Sequence, residues 1–269
     1  MNNKHRALWA VGGLLAIFIA LLIWYMATHP APTAVAPGDV ATTTPPFVDT
    51  PQHIVDNGTY HEIDVAYPGV TPLFTSAGAE ADAAAVSAMR NFSQNTVNAF
   101  RESAEMEMPG LGEFARDRKY TMDVEYKLFE SPKTISYVYM IYQDTLGAHP
   151  NTYYRTFSYD RSSGEDLHLE DLFVPGAPYL ERLSERTRAE LPIIMGRMAQ
   201  MSPSEVDMDY INSGTMPIGD SFGNFKIEGA NLVMIFPPYQ VGPYVYGVLE
   251  VPISLSSLRD ILEPGYLPN

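Results

Sequence analysis

The sequence predicts an α+β domain with a mainly antiparallel sheet and packed helices, preceded by one N-terminal transmembrane helix. A run of nineteen residues, 8–26, contains no charge and is long enough to cross a bilayer. Further along, two segments have apolar residues at helical spacing, and several shorter segments alternate apolar and polar residues as half-buried strands do. Because the strands come in groups separated by helices, antiparallel pairing is favoured over a regular parallel repeat.

The uncharged run begins at Leu8 and ends at Met26, and it determines the predicted topology. At about 1.5 Å of rise per residue, its helix spans the roughly 30 Å of bilayer hydrocarbon. Lys4 and Arg6 precede the run, and the first acidic residue comes well after it. This asymmetry predicts a single-pass protein of the cell membrane with residues 1–7 in the cytoplasm and the C-terminal domain outside.

A cleavable signal peptide is the alternative, but its apolar region usually has only about 7–15 residues. The best match to a cleavage site, Ala34-Val35-Ala36, is followed by Pro37, which should hinder cleavage. The sequence therefore favours an uncleaved anchor. Residues 27–52 then form a Pro/Ala/Thr-rich linker, since six prolines fall within this range and favour extended backbone.

A first α+β subdomain is predicted over residues 53–175. A strand over 60–66 precedes a helix over 80–105, whose apolar face recurs every three or four positions at Val86, Met89, Phe92, Thr96 and Phe100. Three strands follow at 120–129, 134–142 and 151–159, and residues 160–164 form a hairpin turn. The middle one of these strands is apolar on both faces, so we expect it to lie inside the sheet.

A second α+β subdomain is predicted over residues 176–269. It begins with a helix over 178–191, with Pro178 in the first turn. The methionine-rich stretch 195–216 has no pattern that favours helix or strand. Strands are predicted at 223–227 and 231–236 around a Glu228-Gly229 turn, and at 244–253, before a short helix that Ser256 caps and that ends at Leu262.

Composition excludes several classes of function. The chain has no cysteine, which rules out disulfides, iron–sulfur clusters, thiolate zinc sites and cysteine nucleophiles. Residues 27–269 contain all 32 acidic residues but only 15 of the 17 basic ones, a net charge of −17. Such a domain repels nucleic acid and attracts cationic partners. The alternative is that acidity only keeps an extracytoplasmic surface soluble.

Three segments together resemble a known family. They are Ile135-Ser136 with Leu146 through Asn151, then Phe157 through Asp160 with Leu169 through Phe173, and finally the Pro-Tyr element 236–244 with Gly247 and Val251-Pro252. In this order and spacing they resemble the paired domains of unknown function in the ectodomain of the RsiV-type, lysozyme-sensing anti-sigma factors. The same pair precedes the catalytic domain of PdaC-type peptidoglycan deacetylases.

The resemblance covers roughly residues 60–262, and it implies an ectodomain that senses lysozyme or acts near the cell wall, with an RsiV-like second subdomain. Only seven residues precede the anchor, so we expect no cytoplasmic domain that binds a sigma factor. The sequence stops after the second subdomain, so we expect no deacetylase domain either.

His149 is the strongest candidate for acid–base chemistry, because it lies in a Gly- and Pro-bracketed loop between two predicted strands. Asp144, Asp160 and Glu170 are the carboxylates near it in the sequence, but no Gly-x-Ser-x-Gly nucleophile motif is present. The alternative is a turn histidine whose ring hydrogen-bonds to the backbone. The sequence favours this second interpretation.

No metal or cofactor is predicted. The six histidines form no His-x-His and no His-Glu-x-x-His pair. Glu165, Asp166, Glu170 and Asp171 lie close together, but their spacing is not that of an EF-hand. These carboxylates are more typical of a solvated turn that leads into a helix.

The candidate partner-binding residues are Tyr239, Tyr244, Tyr246, His149 and Asn151. The three tyrosines alternate with prolines that prevent full strand pairing, and exposed tyrosine rings are good anchors for proteins or glycans. Alternatively, these rings pack the edge of the core.

We therefore expect a non-catalytic, membrane-anchored, extracytoplasmic binding or sensing module. Its expected ligand is a cationic envelope protein such as lysozyme, or cell-wall glycan, and its oligomeric state is left open. The alternative is a cell-wall hydrolase or deacetylase accessory with His149 in its site. A third possibility is a purely structural spacer in an envelope complex.

Overall fold

A computed structural model describes residues 50–69 and 78–267, which belong to one compact unit, Phe47–Asn269. The predicted anchor at residues 8–26 lies outside the described residues, as does most of the predicted linker. Within the two described ranges, no helix has both the length and the apolar character needed to cross a membrane.

The N-terminal half forms a five-stranded sheet in the order β1-β2-β3-β4-β5. The strands are β1 (Gln52–Asn57), β2 (His61–Tyr67), β3 (Tyr120–Glu130), β4 (Thr134–Asp144) and β5 (Asn151–Asp160). Helix α1 (Ala79–Glu107) connects β2 to β3, and these two strands pair in parallel, whereas all other neighbours are antiparallel. The prediction of a mainly antiparallel α+β fold is confirmed, with one parallel pair that the helical crossover makes possible.

Helix α1 covers one face of this sheet and forms the first core with it. The predicted helix of 80–105 is confirmed to within two residues at each end, and Val86, Met89 and Phe100 are buried as expected. Phe92 is only half-buried, but its ring packs edge-to-face on Tyr139 at a centroid distance of 5.7 Å. Val97 and Ser93 are buried in addition, so the apolar face is centred slightly differently from the predicted one.

The C-terminal half contains helix α2 (Tyr179–Ala199), the short helix α3 (Met208–Gly214) and a three-stranded antiparallel sheet. Its strands, in sheet order, are β6 (Phe225–Glu228), β7 (Asn231–Phe236) and β8 (Leu249–Ser254). A second core lies between α2 and this sheet, with Leu183, Leu191 and Met195 packed among the apolar residues of β7 and β8.

The two cores meet on the face of the first sheet that α1 does not cover. Lys226 of β6 is buried there, with its Nζ 3.6 Å from the centre of the Phe129 ring on β3. The same Nζ forms ion pairs with Glu228 at 3.1 Å and Glu250 at 2.9 Å, so the buried charge is compensated. Because both faces of β4 are covered, its first six residues are all buried. The predicted internal position of this strand is confirmed.

Several predicted boundaries are wrong for local reasons. Helix α2 continues beyond the predicted end at residue 191 and passes through Pro192, because Leu191 and Met195 on either side are held in the second core. The strand predicted at 244–253 begins only at Leu249, since a single helical turn at Tyr244–Tyr246 and a left-handed Gly247 (φ 62°) come first. The terminal helix is only a short turn, Leu255–Leu258, preceded by Ser254 rather than capped by Ser256.

Candidate binding site

The loop that carries His149 is shaped by its own side chains and backbone. It connects β4 to β5, and Asp144 at its start accepts a hydrogen bond from the Leu146 N–H at 2.8 Å. Leu146 has a positive φ of 59° and is buried, which turns the chain back sharply. His149 follows at the exposed tip, and its Nδ1 lies 2.9 Å from the carbonyl oxygen of Pro150.

The second loop, residues 237–247, follows β7 and begins with a tight turn. The Gln240 N–H donates to the carbonyl of Pro237 at 3.2 Å, and Tyr239 at the third position of this turn has a φ of 71°. The Gln240 side chain donates to the carbonyls of Gly214 at 3.0 Å and Ser221 at 2.8 Å, which ties the turn to the second core. Turns with positive φ at the third position favour glycine, so a tyrosine there is strained.

These two loops meet at an aromatic cluster of His149, Tyr239 and Tyr244. The His149 ring stacks on Tyr244 with 4.4 Å between centroids, and Tyr239 lies 5.9 Å from His149 and 5.5 Å from Tyr244. The Tyr239 hydroxyl is 2.8 Å from His149 Nε2. Tyr244 donates its hydroxyl to the Pro150 carbonyl at 3.3 Å. The structure thus brings together three of the five predicted partner-binding residues.

Hydrogen-bond chemistry assigns the protons in this cluster. A carbonyl oxygen can only accept, so a neutral His149 must carry its proton on Nδ1, facing Pro150. Its Nε2 is then an acceptor, and the Tyr239 O–H is the donor. The interpretation of His149 as a turn histidine bonded to backbone describes one side of the ring, while the other side holds Tyr239 in place.

The remaining two predicted residues lie elsewhere. Tyr246 is half-buried, and its hydroxyl lies 4.0 Å from the sulfur of Met201. It packs against the second core, as the alternative interpretation expects of these rings. Asn151 is exposed at the first position of β5, opposite Gln143.

The carboxylates considered for acid–base chemistry are each engaged away from His149. Asp144 closes its own loop. Burial by itself raises the pKa of Asp160, but hydrogen bonds from Ser162, Ser163 and Tyr266 outweigh it and lower that pKa. Glu170 lies in a short helical turn, Leu169–Leu172. Within the residues that the structure describes, the polar atoms at His149 are thus those of Tyr239 and the Pro150 carbonyl, and no carboxylate orients its ring.

The acidic residues considered for metal binding surround a cleft instead. Glu165, Asp166 and Glu170 line a cleft of about 730 Å³ between the start of α1, β5 and the second core. Burial, together with the charge of Asp166, raises the pKa of the Tyr159 phenol in its wall. Asp171 accepts from the His168 N–H at 2.7 Å and caps the helical turn. In the described ranges, no group of three or more such side chains is arranged to hold a metal ion.

Apart from Tyr239, sequence reasoning did not single out a set of exposed apolar residues in the C-terminal half. Eight large hydrophobic side chains between residues 193 and 245 are at least one-third exposed, Tyr239 at 50% and Val245 at 84% among them. The others are Ile193, Met198, Met208, Tyr210, Met216 and Ile218. The methionine-rich stretch 195–216 was the sequence signal for some of these residues. Its apolar side chains follow neither a helix nor a strand pattern, so they cannot all point into the core, and the exposed ones form apolar surface.

Comparison with known proteins finds a family match in the C-terminal part of the chain. Residues 170–256 match the family described as "Protein of unknown function (DUF3298)". The peptidoglycan-N-acetylmuramic acid deacetylase PdaC of Bacillus subtilis is 28% identical over 182 residues, which cover 67% of this chain and 37% of PdaC. Esterase Rv3036c of Mycobacterium tuberculosis is 28% identical over 147 residues, 53% of this chain and 60% of that protein. The chain therefore spans less than two thirds of the length of both relatives.

Two solved structures share the fold. A DUF3298 family protein from Pseudomonas aeruginosa has a TM-score of 0.51 at 15% identity, covering 82% of this chain and 96% of its own. A DUF3298 member from Bacteroides fragilis has a TM-score of 0.51 at 17% identity, covering 81% and 92%. The resemblance to PdaC-type proteins is confirmed, whereas the RsiV-type assignment stays a prediction. The family match at residues 170–256 covers helix α2, helix α3 and the three-stranded sheet.

Proposed function

We propose that this chain is a membrane-anchored, extracytoplasmic, non-catalytic binding or sensing module whose ligand is a cationic envelope protein such as lysozyme. The anchor is residues 8–26, and the ligand-binding surface is the aromatic cluster. Cell-wall glycan is the alternative ligand class. The observation that carries the proposal is the placement of Tyr239, half exposed and in a left-handed backbone conformation at the meeting point of the two loops.

The strain at Tyr239 supports a binding role because folding alone does not require it. A bulky residue at positive φ costs on the order of 1–3 kcal/mol, and such residues cluster at functional sites. The ring is held by His149 and Tyr244 on one side, so little side-chain entropy is lost when a partner covers the other side. Tyrosine in such a position is a typical anchor of protein interfaces.

Charge supports a cationic partner. The described residues contain 30 acidic and 15 basic side chains, a net charge of −15. A field of this sign accelerates association with positively charged proteins and disfavours anionic ones. The RsiV-type resemblance, which concerns sensors of lysozyme, and the similarity to PdaC, a peptidoglycan deacetylase, both support a role in the cell envelope.

The second candidate function is enzymatic, and the similarity to a deacetylase and an esterase favours it. In that case His149 would be the base and the Tyr239 hydroxyl its partner at 2.8 Å. General-base catalysis by a histidine usually requires a carboxylate or carbonyl that orients the ring and a nucleophile to activate. The Pro150 carbonyl orients the ring, but the hydroxyl that His149 contacts is the phenol of Tyr239 and not a serine or threonine hydroxyl, so we favour binding over catalysis.

The test measures binding of lysozyme to the purified full chain by biolayer interferometry. Tyr239→Ala should weaken binding by at least about tenfold, as removal of an interface anchor does. Tyr153→Ala is the matched control, since Tyr153 is also exposed, at 38%, but lies on β5 outside the cluster. We expect no change with this control.

Three results would contradict the proposal. One is lysozyme binding that is equal in the wild type and Tyr239→Ala. Another is no binding to lysozyme or any other basic protein at low salt. The third is ester hydrolysis or acetate release from peptidoglycan that disappears in His149→Ala, which would establish the enzymatic candidate instead.

A further inference from the structure

A second exposed surface lies on α3 and the loop that follows it. Met208, Tyr210, Met216 and Ile218, here called the methionine patch, are 37%, 43%, 46% and 46% exposed. Helix α3 buries only Ile211, so it adds little to the core while presenting large apolar side chains to solvent. Four exposed apolar residues within eleven positions of the sequence, with polar residues between them, are typical of interaction sites.

The backbone beneath the methionine patch is held at both ends. At the start of α3, Asp207 accepts a hydrogen bond from the Asp209 N–H at 2.9 Å. At its end, Arg188 of α2 donates to the Asn212 carbonyl and to the Thr215 hydroxyl, each at 3.0 Å. Ser184 donates to the Thr215 carbonyl at 2.6 Å. The surface is therefore preorganised, which lowers the entropic cost of binding.

The segment that carries the methionine patch is negatively charged, and the cation that contacts its backbone is Arg188 of α2. Residues 198–225 contain four carboxylates, Glu205, Asp207, Asp209 and Asp220, and no lysine, arginine or histidine. Among the described residues, the ion pairs involve other carboxylates. Glu205 and Asp207 accept hydrogen bonds from the N–H groups of Ser202 and Asp209. An apolar surface flanked by carboxylates is complementary to a helix with one apolar and one basic face.

We propose that the methionine patch docks a basic amphipathic helix of a protein partner. The unbranched thioethers of Met208 and Met216 adapt to the apolar face of such a helix, while the flanking carboxylates pair with its lysines and arginines. The inference goes beyond the proposed function, because it uses a surface other than the aromatic cluster and takes the partner's positive charge from the carboxylates of this segment. It predicts that binding depends on the helical arrangement of the partner's apolar residues and not on its charge alone.

The experiment uses the full chain and a fluorescent peptide of Leu and Lys, about four helical turns long, with leucines every three or four residues. Fluorescence anisotropy measures its binding. We expect Met216→Ser to weaken binding by about tenfold, the effect of losing one apolar anchor, and the Asp209→Asn, Asp220→Asn double variant to weaken it as well. Met106→Ser is the matched control, because Met106 is 75% exposed on α1 and is flanked by Glu105 and Glu107.

Distinct outcomes overturn the inference. A peptide of the same composition whose leucines alternate with lysines should bind more weakly, and equal binding would mean that charge alone attracts it. Unchanged binding in both patch variants would exclude the patch. Self-association of the wild type that Met216→Ser abolishes would assign the surface to a second copy. Tyr239→Ala should leave peptide binding intact, so peptide binding without lysozyme binding would sink the proposed function and leave this inference standing.

Discussion

At the scale of single residues, the aromatic cluster depends on side chains in backbone conformations that their residue types disfavour. Leu146 and Tyr239 both have positive φ, at 59° and 71°, and one lies in each of the two loops that meet at the cluster. Neither position needs a bulky side chain to make its turn, since glycine or asparagine would serve. Leu146 is buried, so packing explains it. Tyr239 is half exposed, so burial does not explain a tyrosine at this position.

Tyr239→Gly should therefore separate stability from binding. Relief of backbone strain offsets the loss of the hydrogen bond to His149 and the greater entropy of the unfolded chain, so the free energy of unfolding should change by less than about 1 kcal/mol. Lysozyme binding should nevertheless be lost. Urea denaturation measures the first quantity and biolayer interferometry the second. A loss of several kcal/mol would show that Tyr239 is a structural residue.

At the scale of elements, one carboxylate joins three parts of the first core. Asp56 of β1 accepts from Arg101 of α1 at 2.8 Å and lies 3.2 Å from Nε2 of the buried His61 on β2. Gly58, in the turn between the two strands, is required because a Cβ there would come within 2.4 Å of the His61 ring. The edge strand β1 thus relies on this ion pair, since its own side chains are mostly exposed.

Removal of the Asp56 carboxylate should make the stability of the protein less dependent on acidic pH. The hydrogen bonds from Arg101 and then His61 lower the pKa of Asp56 below its ordinary value of 3.8. A lowered pKa contributes stability above the ordinary value and loses it as the pH falls toward the folded value. Asp56→Asn should have a lower Tm than the wild type at pH 7, and the difference should shrink below about pH 4.

Asp260→Asn is the control for this prediction. Asp260 also pairs with an arginine, Arg182 at 2.9 Å, but its side chain is 61% exposed. Solvent screening makes such surface pairs weak, so its Tm should stay close to that of the wild type throughout. A pH-independent difference between Asp56→Asn and the wild type would contradict the assignment of the acid sensitivity to Asp56.

The helices and strands also show how much of this structure can be predicted from the sequence. Periodic segments were predicted well, because burial of α1 and of β3 to β5 follows directly from apolar spacing. Strand β1 was missed, since an exposed edge strand with Gln52, His53 and Asn57 has no apolar pattern. His149, Asn151 and three tyrosines were singled out from the sequence, and two of these tyrosines contact His149. That they contact one another could not be predicted, because the docking of the second core on the first leaves no local signal in the sequence.

At the scale of the whole molecule, charge should control how fast a partner arrives. With 30 acidic and 15 basic side chains in the described residues, the field extends about 30 Å at 0.01 M salt and only about 8 Å at 0.15 M. Association of lysozyme should therefore slow steeply over this range, while dissociation changes little. Stopped-flow or interferometric rates at several salt concentrations provide the measurement. A salt dependence confined to dissociation would place the charges inside the contact rather than around it.

His149 and Tyr239 are ninety positions apart in the sequence, and this separation determines when during synthesis the aromatic cluster can form. Contacts between distant parts of a chain form late, because the intervening segment must be ordered first. Because the chain is synthesised from its N-terminus, the loop of His149 is complete while β7 and the following turn are still to come. The aromatic cluster is completed only once the second core has folded and docked. A chain interrupted before β7 would then carry the His149 loop without its two tyrosine partners, and under the proposed function only the complete molecule would bind its ligand.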